Sequence, residues 1–149
     1  RKGLIHYGKT YDFYDLASLT KIIFTASASM HHFSAHRADL KRPVAKYLSW
    51  WKGRMTPEHL MTHTAGLEWW LPMYKWLKGP KAPEKRWAQL QSRLQKVKPQ
   101  RRAQAVYSDV DLWFLGSYLQ AATGLGLLPL WEQTRERLGV RGLWFHPYN

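Results

Sequence analysis

Cysteine does not occur among the 149 residues of this chain. Its absence excludes disulfide bonds, thiol catalysis and cysteine-ligated zinc, and is compatible with any cellular compartment. The sequence also contains no apolar run of about 18 residues, so it predicts no transmembrane span. With 45% hydrophobic and 15% aromatic residues, the chain nevertheless carries enough apolar side chains to fold as one globular domain.

Acidic residues are scarce, because 10 Asp and Glu stand against 23 Lys and Arg, for a net charge of +13. The excess is concentrated between residues 75 and 102, where tryptophans alternate with lysines and arginines. Such a stretch can bind an anionic surface, whether a membrane or an anionic polymer, or nucleic acid. We favour a solvated helix face with a basic loop over a nucleic-acid partner, and leave an anionic surface open as a partner.

The most informative pattern is Ser18-Leu-Thr-Lys21, which precedes a long apolar stretch. Residues three positions apart share one face of a helix, so the lysine amine can reach the serine hydroxyl. A lysine near a serine can act as the base that activates it as a nucleophile. A second interpretation also fits, in which Ser18 or Asp15 caps the helix and Lys21 extends to water.

Two histidines four positions apart, His59 and His63, have a spacing that can hold zinc. Their order is not His-Glu-x-x-His, however, and the sequence offers no third ligand. We therefore interpret them as structural residues and predict no metal and no cofactor.

Four blocks resemble the serine β-lactamase and penicillin-binding protein family, in the family's order. They are Asp15-Leu-Ala-Ser-Leu-Thr-Lys21, Leu40-Lys-Arg-Pro-Val-Ala-Lys-Tyr-Leu48, His59-Leu-Met-Thr-His-Thr-Ala-Gly-Leu67, and Tyr107-Ser-Asp109 followed by Leu115-Gly116 and Ala122-Thr-Gly124. The most similar branch contains class C β-lactamases, D-alanyl-D-alanine carboxypeptidases and related esterases. The resemblance implies an α/β (α+β) fold, in which an antiparallel sheet is flanked by helices.

The resemblance also implies roles for individual residues. Ser18 would be the acylated serine, and Lys21 and Tyr107 would move protons. Asp109 stands where the family usually has Asn. An ionised aspartate only accepts hydrogen bonds, whereas asparagine also donates, so the usual contact to a substrate amide carbonyl is put in doubt. The aspartate also adds a negative charge that can pair with Lys21. Trp69 and Trp70 would line the substrate groove, or else pack two lobes together.

One family motif is missing, because no Lys-Thr-Gly or His-x-Gly segment follows Tyr107-Ser-Asp109 in this sequence. We therefore interpret residues 1–149 as a partial β-lactamase-like domain that holds mainly the helical lobe. The coarse pattern predicts strands over 3–8 and 11–14, a buried helix over 18–35, and helices over 57–63, 84–97, 109–122 and 128–138. We expect Gly66 to end the 57–63 helix.

Two functions follow from the resemblance. The first is a penicillin-recognising serine hydrolase of the bacterial periplasm or cell envelope, which acts through an acyl-enzyme on a peptidoglycan D-Ala peptide, a β-lactam or an ester. The second is a catalytically inactive scaffold that binds cell-wall material or a protein partner. The sequence does not choose among carboxypeptidase, β-lactamase and esterase, because that choice depends on the groove rim and the missing motif.

Overall fold

The computed structural model describes residues 14–76, 83–101 and 104–143. These ranges form a helical assembly, with α1 Ser27–Ala35, α2 Pro57–Met61, α3 Met73–Trp76, α4 Pro83–Leu94, α5 Asp109–Thr123 and α6 Leu127–Arg137. A π-helical segment, Lys21–Ala26, leads directly into α1, and two 3₁₀ turns, Arg37–Lys41 and Val44–Lys46, follow it. No strand occurs in the described ranges. The strands predicted over 3–8 and 11–14 lie outside these ranges except for Tyr14, so the helical lobe is present and the sheet stays a prediction.

The predicted helices α2, α4, α5 and α6 are confirmed, with ends that differ from the expected ones by a few residues. Thr56 and Pro57 start α2 as expected, since Thr56 Oγ1 accepts a hydrogen bond of 3.3 Å from the backbone of His59. The expected role of Gly66 is wrong: α2 ends at Met61, and His63 already adopts a left-handed φ of 56°. The chain therefore turns three residues earlier than the glycine suggested.

The first helical segment differs from the prediction of a fully buried helix over 18–35. Phe24, Ala28 and Phe33 lie in the core, on the side that contacts α5 and α6. Ile22 and Met30 are 65% and 68% exposed. The apolar run is therefore buried on one face only in the described part of the chain, because the helices described here contact only that face.

Helix α5 is the centre of the hydrophobic core and carries four of its fully buried side chains, Phe114, Leu115, Tyr118 and Leu119. Ser108 caps its first turn by accepting a 3.1 Å hydrogen bond from the backbone of Asp111. Gly124 ends it with a φ of 72°, a conformation that favours glycine. Since Tyr107 directly precedes the cap, packing of α5 also fixes the tyrosine's place.

A buried carboxylate, Asp39, connects the two 3₁₀ turns. Its oxygens accept hydrogen bonds from Lys46 Nζ at 2.8 and 2.9 Å, from the Tyr47 hydroxyl at 3.0 Å and from Arg42 at 3.1 Å. The hydrogen bond from Lys46 lowers the pKa of Asp39, and Tyr47 and Arg42 add to this effect against the opposing cost of burial. Asp39 is therefore an ionised structural residue that ties this segment together.

Candidate active site

Ser18 lies in a tight turn that directly precedes the π-helical segment. The backbone N–H of Leu19 donates to Leu16 at 2.8 Å, and that of Ala17 donates to the Asp15 carboxylate at 2.8 Å. Ala17 has a φ of 43°. This left-handed conformation costs a residue with a Cβ about 1–3 kcal/mol and is found disproportionately at functional sites. The turn presents Ser18 to solvent at the start of a helix.

The Ser18 hydroxyl contacts Lys21 as the spacing predicts, since Lys21 Nζ donates a 3.0 Å hydrogen bond to Ser18 Oγ. The alternative interpretation, in which serine only caps and lysine only reaches water, does not describe this contact. Asp15 is the residue that holds the turn. The pair therefore has the geometry needed for a nucleophile and a group that controls its proton.

Lys21 is the centre of the site, because its ammonium also reaches the tyrosine motif. Its Nζ lies 3.1 Å from Asp109 Oδ1 and 5.9 Å from the centre of the Tyr107 ring. Burial alone would lower the pKa of Lys21, but hydrogen bonds and charge interactions with Asp109 and Tyr107 outweigh it, and the net effect raises that pKa above its ordinary value. Lys21 is thus an ammonium at neutral pH.

The loop that carries Tyr107 is held by the loop that follows α2. The backbone N–H of Val106 donates to the carbonyl of His63 at 3.0 Å, and that of Asp109 donates to the carbonyl of Trp69 at 2.9 Å. These two hydrogen bonds lie on either side of Tyr107 in the sequence. The position of the tyrosine relative to Lys21 therefore depends on residues 63–69.

Gly66 allows these two loops to approach each other. Its carbonyl accepts a 2.7 Å hydrogen bond from the backbone of Gln100, and its φ is 73°. A Cβ at this position would lie 2.0 Å from the Gln100 carbonyl oxygen. Only glycine fits both this close backbone approach and the left-handed turn.

His63 and Asp111 form a pair next to Tyr107. His63 Nδ1 lies within hydrogen-bond distance of Asp111 Oδ2, at 2.9 Å, and Asp111 is 1% exposed. The same nitrogen lies 3.3 Å from the backbone nitrogen of Ser108, and the imidazole centre lies 5.0 Å from that of Tyr107. His63 therefore contacts the residues on both sides of Tyr107 and the ring of Tyr107 itself.

Sequence reasoning classified His63 as structural and did not connect it with the site. A signal was present, because His63 lies in the Thr-His-Thr-Ala-Gly block and Asp111 follows Tyr107 by four residues. The contact between His63 and Asp111 was nevertheless missed, since the two residues are 48 positions apart in the sequence. The neighbouring histidine serves a different purpose, since His59 Nδ1 accepts a hydrogen bond from the backbone of Thr56. In the described residues, no group of three His, Cys, Asp or Glu side chains is placed to hold a metal ion.

A cleft of about 560 Å³ opens beside Ser18. Its polar lining comes from Ser18, Lys21, His63 and Tyr107, and the rest is mostly apolar: Leu16, Ala17, Leu19, Ile22, Ala26, Met61, Leu112 and Leu115. An apolar cleft with a few convergent polar groups is the usual form of a small-molecule site. Ser18, Lys21 and Tyr107 all line this one cleft.

Trp69 and Trp70 lie elsewhere. They do not belong to the set of described residues that lines the cleft. Trp69 is 61% exposed and Trp70 is 40% exposed, and their ring centres are 6.0 Å apart. The structure therefore brings together Ser18, Lys21, Tyr107 and Asp109, and leaves the two tryptophans on the outer surface next to the tyrosine loop.

Comparison with known proteins gives one match. The family model described as Beta-lactamase matches residues 12–148. A search of curated proteins and a search of solved structures each returned no significant match. The matched range includes every site residue described above.

Proposed function

Since the chain belongs to the β-lactamase family, we propose that it is a serine hydrolase that acts through an acyl-enzyme on Ser18. The observation that carries this proposal is the contact network around Lys21, whose ammonium touches Ser18 at 3.0 Å and Asp109 at 3.1 Å and lies beside Tyr107. Lys21 joins the strained turn that carries Ser18 to Asp109, next to Tyr107, at the edge of a cleft. This arrangement is typical of an active site rather than of a surface ion pair.

In the first step, Ser18 Oγ attacks the carbonyl carbon of the substrate. Its proton passes to the side-chain oxygen of Tyr107, which acts as the general base beside the Lys21 ammonium. The carbonyl carbon–nitrogen or carbon–oxygen bond then breaks, and the departing group takes the proton from Tyr107. Water hydrolyses the resulting ester on Ser18, with Tyr107 again moving the proton.

Lys21 acts in this scheme as a fixed cation. The raised pKa of Lys21 means that it has no free lone pair at neutral pH with which to accept the serine proton. Its hydrogen bond to Ser18 Oγ instead orients the hydroxyl, and its charge stabilises the negative charge that develops on the Ser18 oxygen during the attack. Asp109 holds the lysine in this form.

The developing oxyanion needs hydrogen-bond donors. In the described part of the chain, the backbone N–H of Ser18 donates to no protein acceptor. It lies at the start of a helical segment, where the helix dipole favours a negative charge. We assign this N–H as one oxyanion donor.

The substrate class we propose is a peptidoglycan D-Ala peptide, a β-lactam or an ester, met in the bacterial periplasm or cell envelope. The cleft volume and its apolar lining suit an acyl group with a small polar centre. Asp109 can accept a hydrogen bond from a substrate amide N–H but cannot donate one to a substrate carbonyl, because an ionised carboxylate only accepts hydrogen bonds.

One observation favours a second candidate, an inactive scaffold that binds cell-wall material or a protein partner. The Lys21–Asp109 ion pair occupies the ammonium that a substrate oxygen would otherwise approach. In that case the cleft would bind a ligand without acylation.

Intact-mass spectrometry separates the two candidates. The protein purified from its source is incubated with a penicillin probe, and the modified peptide is mapped, with Ser18→Ala as the matched control. An adduct on Ser18 that is absent from the variant supports the hydrolase. No adduct on a protein that still binds peptidoglycan fragments would overturn it and favour the scaffold.

A further inference from the structure

Three exposed aromatic rings form a continuous patch outside the cleft. Trp69, Trp70 and Tyr74 are 61%, 40% and 69% exposed. Ring centres are 6.0 Å apart between the two tryptophans and 6.3 Å apart between Trp70 and Tyr74. Single exposed aromatic side chains are common, but a contiguous apolar patch on a surface indicates an interaction site. We call these three residues the aromatic patch.

The patch is not needed to anchor its own segment. Met73 is buried, and Leu71 and Trp76 pack against the hydrophobic core. These three side chains fix residues 71–76 to the domain, while Trp69, Trp70 and Tyr74 are exposed. The patch therefore contributes little to folding.

Positively charged side chains lie near the aromatic patch. Lys75 Nζ lies 5.8 Å from the Tyr74 ring centre, and the Arg93 guanidinium lies 5.2 Å from the ring centre of Trp76. The segment that follows α4 is bound to residues next to the patch, because Gln100 donates to the carbonyl of Gly66 and to the Glu68 carboxylate. That segment brings three more exposed cations, Lys96, Lys98 and Arg101.

We propose that the aromatic patch and the cations near it form a docking surface for a membrane that contains anionic phospholipids. Tryptophan and tyrosine rings are stable at the headgroup level of a bilayer, since one part of the ring is apolar and another can hydrogen-bond. Lysine and arginine near the surface add attraction to anionic headgroups. The combination is that of a peripheral membrane-binding surface.

The ring arrangement favours a lipid surface over a single-stranded nucleic acid. Nucleobases stack on aromatic faces that are free to receive them. Here the rings lie against one another with interplanar angles of 30° and 44°, so they present a joint apolar surface rather than separate faces. None of the helices in the described ranges is long and apolar enough to cross a membrane, and the patch requires no crossing.

Docking at this surface brings the bilayer next to the active site. The carbonyl of Trp69 accepts the backbone hydrogen bond from Asp109, so the patch is joined directly to the tyrosine loop. The surface is nevertheless separate from Ser18, and its binding does not depend on the proposed hydrolase activity.

The test is co-sedimentation of the protein purified from its source with vesicles of phosphatidylcholine, with and without phosphatidylglycerol. We expect binding only to the anionic vesicles, and a decrease in binding as salt screens the charges. Trp69→Ala with Tyr74→Ala is expected to lower the vesicle partition coefficient by about tenfold or more. Leu127→Ala with Leu128→Ala, which removes exposed apolar side chains from α6, is the matched control and should leave binding unchanged.

Two outcomes would overturn the proposal. Salt-sensitive vesicle binding that is equal in the aromatic variant and the control would assign the attraction to the basic segment alone. Retention of single-stranded DNA without vesicle binding would indicate a nucleic-acid surface. Ser18→Ala should bind vesicles like the unaltered protein, which keeps this test independent of the acylation test.

Discussion

The part of the chain that the structure describes contains two lysine–aspartate pairs of nearly the same length, one built around a buried aspartate and the other around a lysine at the edge of the cleft. In one, Lys46 Nζ lies 2.8 Å from Asp39, and in the other Lys21 Nζ lies 3.1 Å from Asp109. The Asp39 carboxylate is buried and also accepts from Arg42 and Tyr47, so the anion is the centre of that cluster. At Lys21 the ammonium is the centre.

The difference shows how the same ion pair can serve structure or chemistry. A buried anion with several donors gains from its hydrogen bonds only while it stays charged and in place. A cation at the edge of a cleft, in contact with a hydroxyl and a phenol ring, can instead lower the energy of charges that form during a reaction. We therefore expect the cluster built around the Asp39 anion to stabilise the fold, and the cluster built around the Lys21 cation to take part in the reaction.

Replacing each lysine with methionine gives the largest expected difference between the two ion pairs. Lys21→Met removes the cation beside Ser18, and we expect the rate of acylation by a penicillin probe to fall by about 10³-fold or more. Lys46→Met is expected to leave acylation unchanged and to lower the free energy of unfolding, because it removes two hydrogen bonds from the buried Asp39. Acylation kinetics and denaturant unfolding measure the two effects. Equal loss of acylation in both variants would contradict the assignment.

Substitution of His63 should give the next largest loss of activity, because His63 contacts the backbone of Ser108 and the ring of Tyr107 and so helps to position the tyrosine. We expect His63→Ala to lower kcat about 10- to 100-fold by loosening residues 106–108. His63→Asn should recover most of the loss, since asparagine tolerates the positive φ and its amide nitrogen can donate to Asp111. Steady-state kinetics give the result, and unfolding curves show whether each variant is folded. Failure of asparagine to recover activity while the fold is intact would contradict the positioning role.

Local spacing in the sequence predicted part of the site correctly. Ser18 and Lys21 are three residues apart, and their contact follows from helical geometry. The pairing of Lys21 with Asp109 was expected from charge. The His63–Asp111 contact was not predicted, because it depends on how the segment after α2 lies against the segment that leads into α5. Backbone hydrogen bonds hold these two segments together, and such bonds leave no pattern in the sequence of side chains.

The same distinction between local and long-range signals holds for the fold. The start of α2 at Thr56 and Pro57 was predicted from the sequence, because capping acts within four residues. The exposed face of the first helix was not readable, since an apolar run does not reveal which of its sides other elements cover. The predicted groove position of Trp69 and Trp70 came from the family resemblance, and the described cleft does not include them.

Asp39→Asn tests whether the charge of the buried aspartate stabilises the fold. Its pKa is lowered from the ordinary 3.8 by Lys46, Tyr47 and Arg42, so its stabilisation is present above that value and is lost as pH falls through the lower, native-state pKa. We expect the variant to lose about 1–3 kcal/mol of unfolding free energy at neutral pH and to depend less on pH below 4 than the unaltered protein. Denaturant titrations at neutral and acidic pH test this. A variant that loses equal stability at every pH would show that the carboxylate charge is not involved.

Asp109→Asn makes the smallest change, because it removes one charge and keeps the shape. The raised pKa of Lys21 means that the stabilisation from its ion pair is complete below the ordinary value of 10.5 and is lost as pH rises through the higher native-state pKa. Without Asp109 the burial cost remains and the main attraction is gone, so the pKa of Lys21 should fall. If Lys21 works as an ammonium, the alkaline limb of the acylation rate moves to lower pH, and Asp39→Asn leaves that limb where it was. A faster rate at neutral pH in Asp109→Asn would instead show that neutral lysine is the base, and the comparison would then separate a structural cation from a catalytic amine.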